Sequence, residues 1–316
     1  MLDRNSTEWL LDLQLLHHYE AHTRMILAAR PGADQILRIW SEDVPRIACK
    51  SDYVMHGLLG FASLHKAAQE PELASRLRAS AVEHLDKALV LYRQDRSAAG
   101  SENADARLLF TWLVALFSFA VPPSLPPIDA VIELFLLVKG VDAVLGDTWF
   151  WVSQGPFAPM LTGSLTLSPD EFKLPHGMDL GIGHLDFMLG IEAMLPDDRR
   201  ICVLILGELQ ALYAEIQQTR GTCNVASVIC FPRQDSAPYS NLLKRRVPQA
   251  LVILAYYCVL LDLLDTRWWI HGWSRRVLHD VVGCLNEVWR SWIDWPVSAV
   301  LLKDFALPNM SADLMV

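Results

Sequence analysis

The chain has 316 residues, 52% of them hydrophobic and only 20% charged, with 11 Trp and a formal net charge of −9. That length supplies a sizeable core for one large domain, and the low charged fraction means that much of the chain is buried. The negative balance argues against a protein whose affinity comes from neutralising phosphates, so no direct nucleic-acid binding is expected.

The N-terminus, MLDRNSTEWL, lacks the basic start and apolar run of a secretory signal and the Arg-rich look of a transit peptide. A cytoplasmic protein is expected, or a nuclear one if it regulates transcription. Periodicity is helical nearly throughout, which predicts an all-α fold, a single domain over 1–316 with an apolar central pocket and one long irregular loop. The first helix begins near Ser6 or Thr7 and stops before Pro31-Gly32, with Leu10, Leu13, Leu16, Tyr19 and Leu27 on its apolar face. His18 and His22, four apart, read as a solvated face rather than a metal pair. In DQILRIWSEDVPRIACK, Pro45 predicts a break or kink.

Ser51 can cap the next helix, where Gly57, Gly60, Ala62 and Ser63 would let a neighbouring helix approach closely. An amphipathic helix follows from Pro71 to about Arg96, with Leu73, Leu77, Val82, Leu85, Leu89 and Tyr92 inside. Helix 104–120 is apolar around most of its circumference and therefore central. VPPSLPP forces an extended connection before a helix from about Asp129 to Leu145. Residues 152–185 show no evident helix and are read either as a lid over a pocket or as a packed irregular connection. Helices resume at about 198–219, 247–264 and 268–293, and Pro296 opens a short end piece. The longest apolar stretches, 108–121 and 250–261, fall short of the roughly 18 to 20 residues that span a bilayer, so no membrane span is expected.

Chemistry-bearing motifs are quiet. DLLD (262–265) and DDRR (197–200) resemble aspartate-rich metal sites, yet one ends a helix and the other opens one, where carboxylates favour the helix N-terminus. GIGHLD (181–186) has no preceding strand and no third glycine, so it is not a dinucleotide loop. The cysteines, Cys49, Cys202, Cys223, Cys230, Cys258 and Cys284, form no C-x-x-C pair and read as buried free thiols. No metal and no cofactor is expected. RWWIHGWSRRVLHD (267–280) reads as a core helix with Trp269, Trp273 and Val277 on one face and His271 beside Gly272 as its one functional candidate.

An ordered set of segments carries a family likeness: LLHHY (15–19), Trp40 followed by VPRIA (44–48), YVMHGLLGFASLH (53–65) and HLDKALVLYR (84–93), then VPQALVILAYYCVLL (247–261), WWIHGWSRRVL (268–278) and WRSWIDWP (289–296). Together they resemble the C-terminal ligand-binding domain of fungal zinc-cluster transcription factors, specifically the sterol uptake control protein family. The resemblance implies an α-helical regulatory domain with an apolar pocket for a sterol or similar lipophilic molecule. The zinc cluster that such factors carry needs six closely spaced cysteines, which these scattered ones do not supply, so a stand-alone body without direct DNA contact is expected.

Three functions fit. In the leading one, the pocket serves a cofactor-free cyclisation or cycloaddition of a terpenoid or polyketide-like metabolite, a reaction that needs mainly a shaped apolar cavity and one polarising hydrogen bond. In the alternative, the chain senses a sterol-like ligand and acts on transcription through a partner. The third is a decayed regulator without a ligand. The polar candidates for catalysis or ligand orientation are His56, Tyr256 and His271, and the aromatic or sulfur-bearing pocket candidates are Trp112, Phe117, Trp149, Trp151, Phe157, Met160 and Trp269. The expected partner is a lipophilic small molecule, together with a homodimer mate or a protein partner.

Overall fold

The computed structural model describes residues 4–28, 34–121, 124–162, 182, 185–190, 194–218, 225–233 and 236–302. Among them the secondary structure is helical and contains no strand, as the periodicity predicts. No described helix is long and apolar enough to cross a membrane. Contacts divide the chain into two compact units, Met1–Pro122 with Gly140–Ser164 and Pro123–Lys139 with Leu165–Val316.

In the first unit, α1 (Arg4–His18) runs through a wide π turn, Tyr19–Thr23, into Arg24–Ala28. The extra residue in that turn shifts the buried face. Leu15, His18, Tyr19 and Thr23 are enclosed, whereas Leu10 and Leu13, expected inside, are 41% and 53% exposed. A second wide turn, Ile39–Asp43, joins Asp34–Arg38 to Val44–Ala48 and places Pro45 in the first turn after it. The chain thus stays helical through Pro45 without a break, and the irregularity lies in the wide turn just ahead of it, which leaves the proline in a first turn where its missing amide need not bond.

Helix α2 (Asp52–Gln69) is the axis of this unit, buried almost continuously from Gly57 to His65. Ser51 stands at its N-cap in extended conformation, but its hydroxyl makes no capping bond. Helices α3 (Ala74–Gln94) and α4 (Ala104–Ala120) pack on α2. The small residues of α2 set the spacing. A Cβ on Gly60 would lie 3.1 Å from the Ala81 carbonyl oxygen, and one on Gly57 would lie 3.3 Å from the Phe110 ring. This is why the inner face of α3 is Ala74, Leu77, Ala81, His84 and Ala88, while Leu73 and Val82, expected inside, are 45% and 47% exposed. Close approach selects small side chains over bulky ones.

Helix α5 (Pro127–Val152) runs past the predicted end at Leu145, and from Gly140 onward it forms part of the first unit. Of the segment 152–185, the described beginning is packed: Phe157 is fully buried, and Ala158–Thr162 forms a short helix. Most of its remainder lies outside the described residues, as do Pro31-Gly32, Cys223 and the glycines of GIGHLD.

In the second unit, α6 (Pro196–Gln218), α7 (Ser236–Lys244) and α9 (Trp273–Cys284) surround α8 (Pro248–Asp262). Every residue of α8 from Gln249 to Leu261 is buried. Tyrosine hydroxyls tie the neighbours to carbonyls: Tyr213 donates to Tyr256 at 2.8 Å, Tyr239 to Ala250 at 3.0 Å and Tyr257 to Val228 at 2.9 Å. Asp198 of the DDRR stretch forms a two-armed bond to Arg245 at 3.1 and 2.9 Å. The thiols of Cys202 and Cys258 are buried as expected, whereas Cys49 and Cys284 are exposed.

The tryptophan helix begins later than its pattern predicts. Residues 263–272 form turns, and α9 starts at Trp273 after Gly272 adopts a left-handed φ of +77°. Trp269 therefore does not share a helix face with Trp273 and Val277, although all three are buried.

Candidate functional site

The polar groups of the first unit converge on α2. His56 is half-buried, and its Nδ1 lies 3.0 Å from Nδ1 of His84, whose Nε2 lies 3.2 Å from the Asp12 carboxylate. The carboxylate can only accept, so it fixes the proton of His84 on Nε2 and leaves Nδ1 as an acceptor. His56 then carries its proton on Nδ1, and its Nε2 keeps a lone pair. The array is a carboxylate, an orienting imidazole and a second imidazole in series, the order that holds a histidine ready to take a proton or accept a hydrogen bond. Burial lowers the proton affinity of both rings; Lys87 adds to this and Asp12 opposes it.

A second imidazole cluster occupies another face of α2. His65 Nδ1 lies 2.9 Å from the Thr23 hydroxyl and 3.3 Å from His18 Nε2, while its Nε2 lies 3.1 Å from the Gln69 amide nitrogen. Rings of His18 and His22 have centroids 5.0 Å apart. The solvated-face reading of His18 is thus corrected, since the π turn rotates His18 and Thr23 inward. Burial first, then the neighbouring imidazoles, hold His18 and His65 down at about 4. Among the described residues, no group of three His, Cys, Asp or Glu side chains is arranged to hold a metal.

The aromatic candidates of this unit divide by exposure. Phe117 packs against Gly60 and is buried; Phe157 meets Trp112 edge-on at 5.4 Å, with Met160 buried nearby in sequence. Trp151 is half-buried beside Phe150, and Trp149 is 48% exposed.

In the second unit the three remaining candidates have different settings. Tyr256 is buried on α8 and donates to the Trp292 carbonyl at 3.2 Å. Burial raises its phenol far above the ordinary value. Trp269 is buried within the turn. His271 is not in an apolar helix; its side chain is 72% exposed, and Nδ1 contacts Asp265 at the carbonyl (3.0 Å) and the carboxylate (3.3 Å). The DLLD carboxylates organise this turn, because Asp265 accepts from the Gly272 amide at 2.7 Å and Asp262 accepts from the Ser274 hydroxyl at 2.9 Å.

Sequence pattern sets His18 on a solvated face and singles out neither His65, His84 nor the serines of α7. The available signal was polar side chains at positions whose spacing puts them on a buried face, such as Ser236 and Ser240 with Tyr239 and Leu243.

Comparison with known proteins now places the chain. It is 25% identical over 323 residues to a Zn(2)-C6 fungal-type transcription factor of Gibberella zeae, an alignment covering 96% of this chain and 64% of that protein. It is 26% identical over 257 residues to the Zn(2)-C6 fungal-type transcription factor afumD of Aspergillus fumigatus, covering 79% of this chain and 67% of that one. A shorter match, 26% over 144 residues, joins 44% of this chain to 19% of Sterol uptake control protein 2 of Candida albicans. The chain thus spans just under two thirds of the Gibberella relative's length. No protein-family model matches. The chain is a homologue of fungal zinc-cluster regulators, in line with the likeness read from its segments. These relatives favour the regulator reading and lend none to cyclisation.

Proposed function

We propose that this chain is the ligand-responsive body of a fungal transcription regulator. The observation that carries the reading is similarity to a Zn(2)-C6 fungal-type transcription factor along 96% of the chain. Its ligand is a lipophilic molecule of sterol type, a reading supported by the likeness to Sterol uptake control protein 2 and by two helical units rich in buried apolar side chains. The chain works in the nucleus, through a protein partner or a second copy, and its response is a change in that association when the ligand binds or leaves.

The test is a tethered reporter. The chain is fused to a heterologous DNA-binding domain in a fungal cell, and sterol supply is lowered with a synthesis inhibitor and then restored. Reporter output should change several-fold on depletion and return on restoration. An output that stays flat while a known sterol-responsive control moves would refute the reading.

A further inference from the structure

Among the described residues, four of the six buried serine and threonine hydroxyls have partners; the hydroxyl of Ser51, a less buried residue, also lacks one. Ser63 donates to the Leu77 carbonyl at 2.8 Å, Thr148 to Val144 at 2.7 Å and Ser274 to Asp262 at 2.9 Å, while Thr23 meets His65. Ser236 and Ser240 depart from this pattern. They are 1% and 2% exposed, and neither hydroxyl has a hydrogen-bond partner. Helical hydroxyls normally return to the carbonyl a turn earlier, as that of Ser118 does to Val114 at 2.9 Å. Ser240 does not do so, and Ser236, the first residue of α7, has no helical carbonyl a turn earlier to accept its proton.

Their placement is informative. Four residues apart, they share one face of α7, the face that also buries Tyr239 and Leu243, and α7 packs against α6 and α8. Neighbouring side chains of this stripe cannot serve them, since the Tyr239 hydroxyl is committed to Ala250. Two unsatisfied hydroxyls a turn apart are a cost to the fold that a bound group able to accept or donate hydrogen bonds would remove. Alone, α7 offers its buried face no charged side chain, so a carboxylate or phosphate would enter without a counter-ion from that helix and be penalised. A ketone oxygen can accept from both serines, and a hydroxyl can accept from one and donate to the other.

We propose that Ser236 and Ser240 are the polar anchor for a single neutral oxygen, hydroxyl or ketone, on a lipophilic ligand that enters the core of the second unit. This rests on the lipophilic-ligand reading above and specifies the ligand's polar group. The hydroxyl oxygens are closed off from solvent, so entry displaces the apolar side chains around them.

The experiment compares the full chain with the double variant Ser236→Ala/Ser240→Ala, using matched probes: cholestanol, cholestanone and cholestane, with hexadecanol and hexadecane as an acyclic pair. Wild type should bind the alcohol and ketone roughly tenfold tighter than the matching hydrocarbon. The double variant should bind all members of a set alike and, without ligand, should melt about 2–4 °C higher. If the double variant is poorly folded, the single variants Ser236→Ala and Ser240→Ala carry the same comparison. Binding to wild type without discrimination, or discrimination that survives both replacements, overturns the anchor and leaves the ligand reading standing. No binding of any probe overturns both.

Discussion

The Nδ1 atoms of His56 and His84 stand 3.0 Å apart, so one ring must carry its proton there and the other must not. Asp12, 3.2 Å from the far nitrogen of His84, decides which. A first added proton can sit on His56 Nε2 without breaking either bond. A second would set two imidazolium Nδ1–H groups against each other and break the shared bond. The charge of Asp12 partly offsets the effect of burial on His84. Asp12→Asn should therefore move the His84 titration further down and release the tautomer preference, as read from imidazole nitrogen shifts in a pH series. Unchanged shifts and titration would show that the carboxylate does not set the order.

The cluster around His65 makes stability depend on acid. His18 and His65 titrate near 4 in the fold against 6.5 when free, so between these values the unfolded chain binds more protons than the native one. Their contribution is fully present above about pH 6.5, falls as the pH drops towards 4, and is constant below that. The groups facing His18 are His65, Lys66, His22 and Glu70. Both rings are partly solvated and their titrations are coupled, so the loss is on the order of 2 kcal/mol rather than the full sum of both shifts. Urea unfolding at pH 7 and 4.5 measures it, and the pair His18→Gln/His65→Gln should flatten the difference. An equal slope in the variant would place the acid sensitivity elsewhere.

Helix spacing around α2 is set by absent side chains. A methyl group at Gly60 would lie 3.1 Å from the Ala81 carbonyl oxygen and 3.3 Å from His84 Cβ, so α3 must move outward. Gly60→Ala should cost about 1–3 kcal/mol by overpacking, more than the helix propensity gained. By contrast, Gly140 and Gly146 on α5 have nothing within 4 Å of the added methyl, and Ala at either should be neutral or slightly stabilising. Thermal melts of the three variants separate the cases; a Gly60→Ala protein as stable as wild type would show that α3 yields freely.

How far the sequence revealed all this depends on what a pattern can encode. Helices α4 and α8 were legible because long apolar runs end at strong punctuation, Pro122 after one and Pro248 opening the other. Bulk is a poor sign of burial on the inner face of α3, where the close approach of Gly60 to Ala81 rewards a small side chain. Pro45 marks an irregular place in the helix, but the form it takes, a wide turn ahead of the proline instead of a break, is not visible in residue spacing. The imidazole pairs were illegible for a simpler reason: His18 and His65 are 47 positions apart, and His56 and His84 are 28 apart. Local periodicity cannot see such partners. Of the candidates named in advance, His56 sits in the series with His84 and Asp12, and His271 contacts Asp265 in an exposed turn.

The turn from Leu263 to Gly272 provides the last prediction. Gly272 has φ +77°, a conformation that costs a side chain about 1 kcal/mol, and its amide is held at 2.7 Å by the Asp265 carboxylate, which His271 also contacts. Two substitutions should therefore act through the same bond. Gly272→Ala strains the backbone, and Asp265→Ala leaves the amide without its acceptor for about 1–2 kcal/mol. Because both disturb one turn, the double variant should lose less than the sum of the single losses. His271→Ala, with its ring mostly in solvent, should change stability by no more than about 0.5 kcal/mol. A double-mutant cycle by chemical denaturation tests the coupling. Strict additivity of Gly272→Ala and Asp265→Ala would mean that the carboxylate does not hold the turn, and a large loss from His271→Ala would assign the ring a structural role that its exposure does not suggest.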